Sequence, residues 1–108
     1  MSVRVVNTAK ERPTEYIGRA WAGRPASPLG NPFKLKGEET RGAAIQSYRK
    51  WLWKKWQEGG AEKEELLRIA RQVKAGEAVT LGCWCHPHPC HGDVLAKAVM
   101  WIIEEGLV

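Results

Sequence analysis

All the cysteines and histidines of this chain lie in one short stretch between residues 83 and 91. Side chains of these two types are the ones that bind soft metals and act as nucleophiles or bases. A single buried cysteine or loop histidine needs no functional explanation, but three of each in so few positions do. The residues are Cys83, Cys85, His86, His88, Cys90 and His91. We therefore expect the chemistry of the protein to lie here.

The first interpretation of this cluster is a zinc site. Cys83, Cys85, Cys90 and His91 form a Cys3His set, which is a ligand combination that Zn²⁺ favours. The spacing C-x-C-x4-C-H is tighter than the usual C-x2-C pairs, and ligands at adjacent positions are geometrically awkward. An iron–sulfur cluster held by the three cysteines ranks below zinc.

The second interpretation is catalysis by a thiol. Cys90 and His91 precede a predicted helix, with Asp93 as its N-cap or first-turn residue. Helix N-termini stabilise negative charge and so favour a reactive thiolate. Cys90 would then be the nucleophile, with His91 as its base and Asp93 as the third catalytic candidate. A thiol redox role is a third possibility, for which Cys83-x-Cys85 is weaker support than C-x2-C.

A strand and a helix must position this cluster. Ala78–Cys83 is short, apolar and partly β-branched, which favours a buried strand. Pro87 and Pro89 then prevent both helix and sheet pairing. From Val94 onward, apolar residues cover most of the circumference of a helix that continues to Leu107. Such a helix is either wedged between sheet and helices or forms a homodimer contact, and we favour the homodimer.

The rest of the chain predicts two more strands and two more helices. The strands are Val3–Val6 and Tyr16–Gly18. One helix begins at Thr40 as N-cap, and the other spans Ala61–Ala75 with a Glu64–Arg68 ion pair. The apolar stripes of the two helices are Ala44, Ile45, Tyr48, Trp51, Leu52 and Trp56 in the first, and Leu66, Ile69, Ala70 and Val73 in the second. Trp53 falls off its stripe and is expected to be exposed.

Together these elements predict a single α/β domain over residues 1–108. We expect a small, mostly parallel, three-layer (Rossmann-like) sheet flanked by three helices. Residues 18–37 are too rich in proline and glycine for a regular element, yet Trp21, Leu29 and Phe33 can anchor them. This predicts a long ordered Pro/Gly loop that folds over the carboxyl end of the sheet and meets the cysteine–histidine loop.

Charge and composition limit the possible partners and location. The net charge of +5 suits an anionic partner such as a nucleotide or nucleic acid. No apolar run approaches the ~20 residues needed to cross a bilayer, so we expect no membrane contact. Three clustered cysteines and no signal peptide favour a cytoplasmic protein.

Several motifs carry a resemblance to a known family. The chain resembles small bacterial, archaeal and phage proteins that are catalogued only as a domain of unknown function. The motifs are Tyr16-Ile17-Gly18-Arg19, Ser27-Pro-Leu-Gly-Asn-Pro-Phe33, Arg41 with Tyr48, and Cys83-Trp-Cys-x-Pro-x-x-Cys-His-Gly-Asp-Val-Leu95. The resemblance implies that seven residues share one site: Asn31, Arg41, Cys83, Cys85, Cys90, His91 and Asp93. It supplies no reaction.

The resulting hypothesis is a small enzyme, a hydrolase or transferase, that acts on a nucleotide or a modified nucleic-acid base. Asn31 and Asp93 would hydrogen-bond a base or sugar. Arg19 and Arg41 would neutralise its phosphate, with Ser27 as a further ligand-binding residue. Metal-activated water or a cysteine would perform the reaction. The alternative is a non-enzymatic nucleic-acid-binding module whose Cys3His zinc is structural.

The hypothesis depends on one geometric expectation. The Pro/Gly loop carries Asn31 and the cysteine–histidine loop carries Cys90, far apart in the sequence. We expect the two loops to close over a shared pocket at the end of the last strand, where open α/β sheets bind ligands.

Overall fold

A computed structural model of the chain describes residues 2–18, 26–30, 41–84 and 91–108, without the side chains of Ser2 and Arg41. The described residues form an α/β fold with a three-stranded sheet and three helices. The strands are β1 (Ser2–Asn7), β2 (Glu15–Tyr16) and β3 (Ala78–Cys83), and the helices are α1 (Arg41–Glu58), α2 (Ala61–Lys74) and α3 (His91–Glu104). The predicted small α/β fold is confirmed.

The sheet is parallel, with β3 between β1 and β2. At the carboxyl ends of the strands, Asn7 of β1 lies opposite Cys83, and Tyr16 of β2 lies opposite Gly82. Because the three strands are parallel, their carboxyl ends meet at one edge of the sheet, which we call the carboxyl edge. The second strand is shorter than predicted and begins one residue earlier, at Glu15.

One face of β3 forms part of the hydrophobic core. Val79, Leu81 and Cys83 are buried and belong to one cluster with the apolar residues of all three helices. Because side chains alternate along a strand, these three share a face. Helices α2 and α3 contact this sheet and each other, and α1 packs on both of them.

The other face of β3 is covered by the connection between β1 and β2. The Thr80 and Thr14 side chains each accept a 2.9 Å hydrogen bond from the backbone N–H of the other. A Cβ at Gly82 would lie 2.4 Å from Pro13, so glycine is needed for this close approach. Within the described ranges no helix lies on this face. The three-layer, Rossmann-like arrangement is therefore not confirmed.

The two predicted apolar stripes are confirmed. In α2 the buried residues are Leu66, Ile69, Ala70 and Val73. In α1 the stripe residues are buried or half-buried, while Trp53 is 51% exposed. The predicted N-cap, Thr40, lies outside the described residues. None of the helices among residues 41–84 and 91–108 has the length and apolar character needed to cross a membrane.

The prediction of a Glu64–Arg68 ion pair in α2 is wrong. Arg68 pairs with Glu65 of the same helix and with Glu15 of β2, rather than with Glu64. Its Nη1 and Nη2 donate to the two carboxylate oxygens of Glu15 at 2.8 and 2.7 Å. The spacing of charges along a helix indicates only partners within that helix. Packing of α2 on the sheet brings Glu15 to the same guanidinium, which can bind more than one carboxylate.

Helix α3 starts earlier than expected and is buried by its own chain. His91 and Gly92, expected to precede the helix, are its first two residues. A Cβ at Gly92 would lie 2.9 Å from Val5 Cγ1 and 3.2 Å from Ile17 Cδ1, so the absence of a side chain lets α3 begin against the sheet. The helix contacts β1, β3, α1 and α2. These contacts bury Val94, Leu95, Val99 and Ile102 within one chain, while Trp101 is left 36% exposed. The homodimer has no support.

Candidate functional site

Polar and aromatic side chains gather at the carboxyl edge of the sheet. Asn7 ends β1, Tyr16 ends β2 and is followed by Ile17, Trp84 follows β3, and His91 begins α3. We call these five residues the edge site. All three described strands and α3 contribute to the edge site. Open α/β sheets bind ligands at this place, beyond the carboxyl ends of their strands.

His91 is the titratable centre of the edge site. It is 7% exposed, and its Nε2 lies 2.8 Å from the backbone oxygen of Ile17. A carbonyl oxygen only accepts hydrogen bonds, so Nε2 carries a proton. In the neutral ring, Nδ1 is then the nitrogen with the lone pair. Metal-bound histidines usually donate their other N–H to a backbone carbonyl or carboxylate in this way.

Tyr48 supports the imidazole from α1. Its ring centroid lies 5.2 Å from that of His91, with an angle of 69° between the ring planes. The Tyr48 hydroxyl donates a 2.6 Å hydrogen bond to the backbone oxygen of Leu29. Tyr48 and Leu29 are both fully buried. The position of the His91 ring is therefore set by two separate segments besides its own helix.

The turn at residues 26–30 contacts both Tyr48 and the segment that follows β2. Ser27 donates its backbone N–H to the Gly18 oxygen, and its Oγ accepts the N–H of Leu29, both at 3.0 Å. A Cβ at Gly30 would lie 3.1 Å from the oxygen of Ser27, so the turn is tight. The structure gives Ser27 a role in shaping the turn, and its predicted role in ligand binding stays a prediction.

Trp84 provides a partly exposed aromatic surface at the end of β3. Its side chain is 41% exposed, and its indole Nε1 donates to the Tyr16 hydroxyl at 3.2 Å. The Asn7 amide donates to the Trp84 backbone oxygen over a long 3.5 Å, and Asn7 Oδ1 accepts the N–H of Ala9 at 2.9 Å. Sequence reasoning missed Asn7, Tyr16 and Trp84 as site residues. The available signal was that each lies at or next to the carboxyl end of a strand.

The other described candidates lie close to the edge site in sequence but differ in exposure. Cys83 is 2% exposed on the core face of β3. Asp93 lies in the first turn of α3, as predicted, and is exposed. Within the part of the chain that the structure describes, no three Cys, His, Asp or Glu side chains form a metal-binding group. Cys83 and His91 are the described members of the predicted Cys3His set.

The remaining candidates lie outside the described residues. These are Arg19, Asn31, Cys85 and Cys90, while Arg41 begins α1 with its side chain outside the description. The shared pocket between Asn31 and Cys90 and the long ordered Pro/Gly loop therefore stay predictions.

Comparison with known proteins identifies the family. The chain matches the family described as domain of unknown function DUF4326 over residues 3–101. It is 33% identical over 70 residues to an uncharacterized 12.4 kDa protein in the nrdA-td intergenic region of Enterobacteria phage T4. That match covers 65% of this chain and 58% of the phage protein. No solved structure matches. Because the family match covers nearly all of its length, the chain belongs to the DUF4326 family.

Proposed function

We propose that the protein is a small enzyme acting on a nucleotide or a modified nucleic-acid base, with its chemistry at the edge site. The hydrogen bond from His91 Nε2 to the Ile17 oxygen is the observation that carries the proposal. It fixes a buried imidazole beside the ends of three parallel strands. A ring held in one orientation is suited to proton transfer or to metal binding.

In this proposal Nδ1 is the reactive nitrogen of His91. It either binds a metal or takes a proton from a thiol or a water molecule. The bond to Ile17 stays in place whether Nδ1 is protonated or not, because Nε2 donates in both states. The orientation of the ring is therefore kept through a proton transfer.

Cys83, Cys85 and Cys90 would complete a zinc site with His91, and an iron–sulfur cluster is the second candidate. For a hydrolase reaction only three of these four residues would bind the zinc, and the fourth position would hold a water molecule that the metal activates. Without a metal, Cys90 would be the nucleophile and His91 its base, with Asp93 as the third catalytic residue. Hydrolase and transferase chemistry are both compatible with this residue set.

A nucleobase is the ligand that best suits the exposed Trp84 ring. Aromatic side chains bind bases by stacking, with an energy of about 1–3 kcal/mol per base. Asn31 and Asp93 would add hydrogen bonds to the base or sugar.

The phosphate would be bound by basic residues near the same edge. Arg19 and Arg41 are the proposed phosphate ligands, and Ser27 would add a hydroxyl contact. The net charge of +5 gives the whole protein a positive field that attracts such a ligand.

The alternative proposal is a nucleic-acid-binding module with a structural zinc. Burial of both described members of the ligand set favours it, since Cys83 is 2% exposed and His91 is 7% exposed. Structural zinc sites are closed by four protein ligands, whereas catalytic sites keep one position open.

Metal content and coordination separate the two proposals. The protein is purified without added metal, its zinc and iron are measured, and the zinc-bound form is studied by X-ray absorption spectroscopy. Three protein ligands with one oxygen support the enzyme, and four protein ligands support the structural site. Protein without metal leaves the thiol mechanism, which Cys90→Ser then tests.

Turnover is tested with nucleotides and with oligonucleotides that carry modified bases, and products are identified by mass spectrometry. His91→Gln should lower turnover by about 10²-fold or more, because general-base catalysis is lost. Lys10→Gln, in the β1–β2 connection, serves as the control. Full activity of His91→Gln contradicts the proposed role of His91, and binding without turnover supports the alternative.

A further inference from the structure

A second surface feature lies away from the edge site, between α1 and α3. It is a groove of about 450 Å³ that we call the tryptophan groove. Trp53 and Trp56 of α1 and Trp101 of α3 form its walls, and buried aliphatic residues including Leu52 and Ile102 form its floor. Trp53 is 51% exposed and Trp101 is 36% exposed, so the groove opens to solvent.

The three indoles form one continuous aromatic surface. The ring centroid of Trp101 lies 5.8 Å from that of Trp53 and 5.8 Å from that of Trp56, with interplanar angles of 77° and 79°. Single exposed apolar residues are common on protein surfaces, but a contiguous patch over an aliphatic groove marks an interaction site. Tryptophan is also the residue type most enriched at binding hot spots.

The rim of the groove is basic. Arg49 and Lys97 line it, and the Lys63 ammonium lies 5.0 Å from the centre of the Trp56 ring. Arg49 and Lys97 form no salt bridge with another described residue, whereas Lys55, on the same helix as Arg49, is paired with Glu58 at 3.7 Å. A ligand for this groove therefore needs apolar groups along its centre and negative charge along its sides.

We propose that the tryptophan groove binds an acidic amphipathic helix of a partner protein. Apolar side chains spaced three and four residues apart would pack on the indoles and on the aliphatic floor of the groove, as in other helix-in-groove complexes. Carboxylates flanking that stripe would meet Arg49 on one rim and Lys97 on the other. The proposal is independent of the reaction at the edge site.

Two other occupants fit the groove less well. Single-stranded nucleic acid would stack bases on indole faces, but Lys63 lies over Trp56, and Trp101 is packed edge-to-face with both neighbours. A second copy of the chain would bring the basic rim against itself in a two-fold contact, and like charges oppose such an interface.

The test uses a synthetic peptide of about 18 residues, long enough to form a helix on binding. It carries leucine at three- and four-residue spacing, glutamate on both flanks and no tryptophan, so the protein's tryptophan fluorescence reports binding. A scrambled peptide of the same composition is the control ligand. We expect saturable binding of the amphipathic peptide, and at least about tenfold weaker binding of the scrambled one.

Variants of the protein locate the binding site. Trp53→Ser and the double variant Arg49→Glu with Lys97→Glu should each weaken binding by about tenfold or more. Lys10→Glu, a charge reversal outside the groove, should change it by less than about twofold. Circular dichroism and the melting temperature establish that each variant is folded; the exposed charge-reversal sites give a second route if Trp53→Ser is unstable.

Four results would overturn the proposal. The first is no saturable binding, or equal binding of the scrambled peptide. The second is equal weakening by Lys10→Glu. The third is a self-association, measured by sedimentation, that Trp53→Ser abolishes, which would assign the groove to a second copy. The fourth is displacement of the peptide by single-stranded DNA whose own binding depends on Trp53, which would assign it to nucleic acid.

Discussion

A single hydrogen bond decides which atom of His91 can react. Because Nε2 donates to the Ile17 oxygen, a metal or a proton must be bound at Nδ1. The same bond links the start of α3 to the end of β2. Stability and the proposed chemistry would therefore depend on different nitrogens of the same ring, and substitution can separate them.

We predict different effects of His91→Gln and His91→Asn on the stability of the fold. The glutamine amide nitrogen approximates Nε2 and can still donate to Ile17, so His91→Gln should stay close to wild type in stability while losing zinc binding or turnover. The asparagine amide nitrogen approximates Nδ1, so His91→Asn leaves the Ile17 oxygen unpaired and should lose about 1–3 kcal/mol. Urea unfolding measures both. Equal stability of the two variants would contradict the structural role of Nε2.

Sequence reasoning at the residue scale found His91 but not its partner. Six chemically capable side chains in one stretch locate the candidate chemistry directly. The Ile17 oxygen is 74 residues away and is a backbone atom, so no side-chain pattern indicates it. Trp84 and Asn7 were missed because their proximity follows from strand pairing, which a single sequence does not specify.

At the scale of elements, local patterns predicted the helices and distant packing set their ends. The stripes of α1 and α2 follow from the 3.6-residue period, which is a local property. The start of α3 and the pairing of Arg68 depend on the sheet edge. Both contacts are with residues outside the helix itself, so the sequence of the helix does not indicate them.

The approach of α3 to the sheet predicts opposite effects for alanine at two helical glycines. At Gly92 an added Cβ would lie 2.9 Å from Val5 Cγ1, whereas at Gly42 it would meet nothing within 4 Å. Gly42→Ala should stabilise by about 0.5–1 kcal/mol. Gly92→Ala gains the same helix propensity but overpacks the contact, at a cost of about 1–3 kcal/mol. Thermal unfolding of both variants checks this, and stabilisation by Gly92→Ala would show that α3 is farther from β1.

The link between α2 and β2 gives a third prediction. Glu15 and then Glu65 raise the pKa of the Arg68 guanidinium above its usual value. Because the pKa is raised on folding, the stabilisation by these ion pairs is fully present below the ordinary arginine pKa and is lost only at higher pH. Arg68 should therefore contribute no pH dependence of stability near neutrality. Arg68→Lys cannot bind both carboxylates as a planar fork and should lose about 0.5–1 kcal/mol.

Arg71→Lys, on the exposed side of the same helix, is the matched control and should be neutral. The difference between the two variants in urea unfolding should shrink at high salt, because these charges are partly exposed. A loss that is unchanged by salt would indicate that packing of the Arg68 stem, and not its charge, stabilises the contact.

At the scale of the whole molecule, one hydrophobic core joins the helices to the sheet, and the edge site lies at the carboxyl ends of the strands. The sequence indicated a parallel sheet, but the strand order β1-β3-β2 and the position of the described helices on one face arise only in the assembled fold. The positions of the Pro/Gly loop, of Cys85 and Cys90, and of the Arg41 side chain relative to this edge stay predictions.

In the proposed function, the net charge and the exposed indole would make separable contributions to nucleotide binding. Charge attraction weakens with added salt, whereas stacking is much less affected. Trp84→Ala should weaken nucleotide binding by about 1–3 kcal/mol at every salt concentration and leave the salt dependence unchanged. Isothermal titration at several salt concentrations measures both effects. An unchanged affinity in Trp84→Ala would remove the indole from the site.

The most direct test of the edge site is the NMR spectrum of the histidine ring nitrogens, with His91 assigned by its loss in His91→Gln. The account predicts that His91 carries its proton on Nε2 in the neutral state, and that zinc or a nucleotide shifts the Nδ1 resonance. A proton on Nδ1 with Nε2 deprotonated, or an Nδ1 resonance that neither ligand moves, would contradict it.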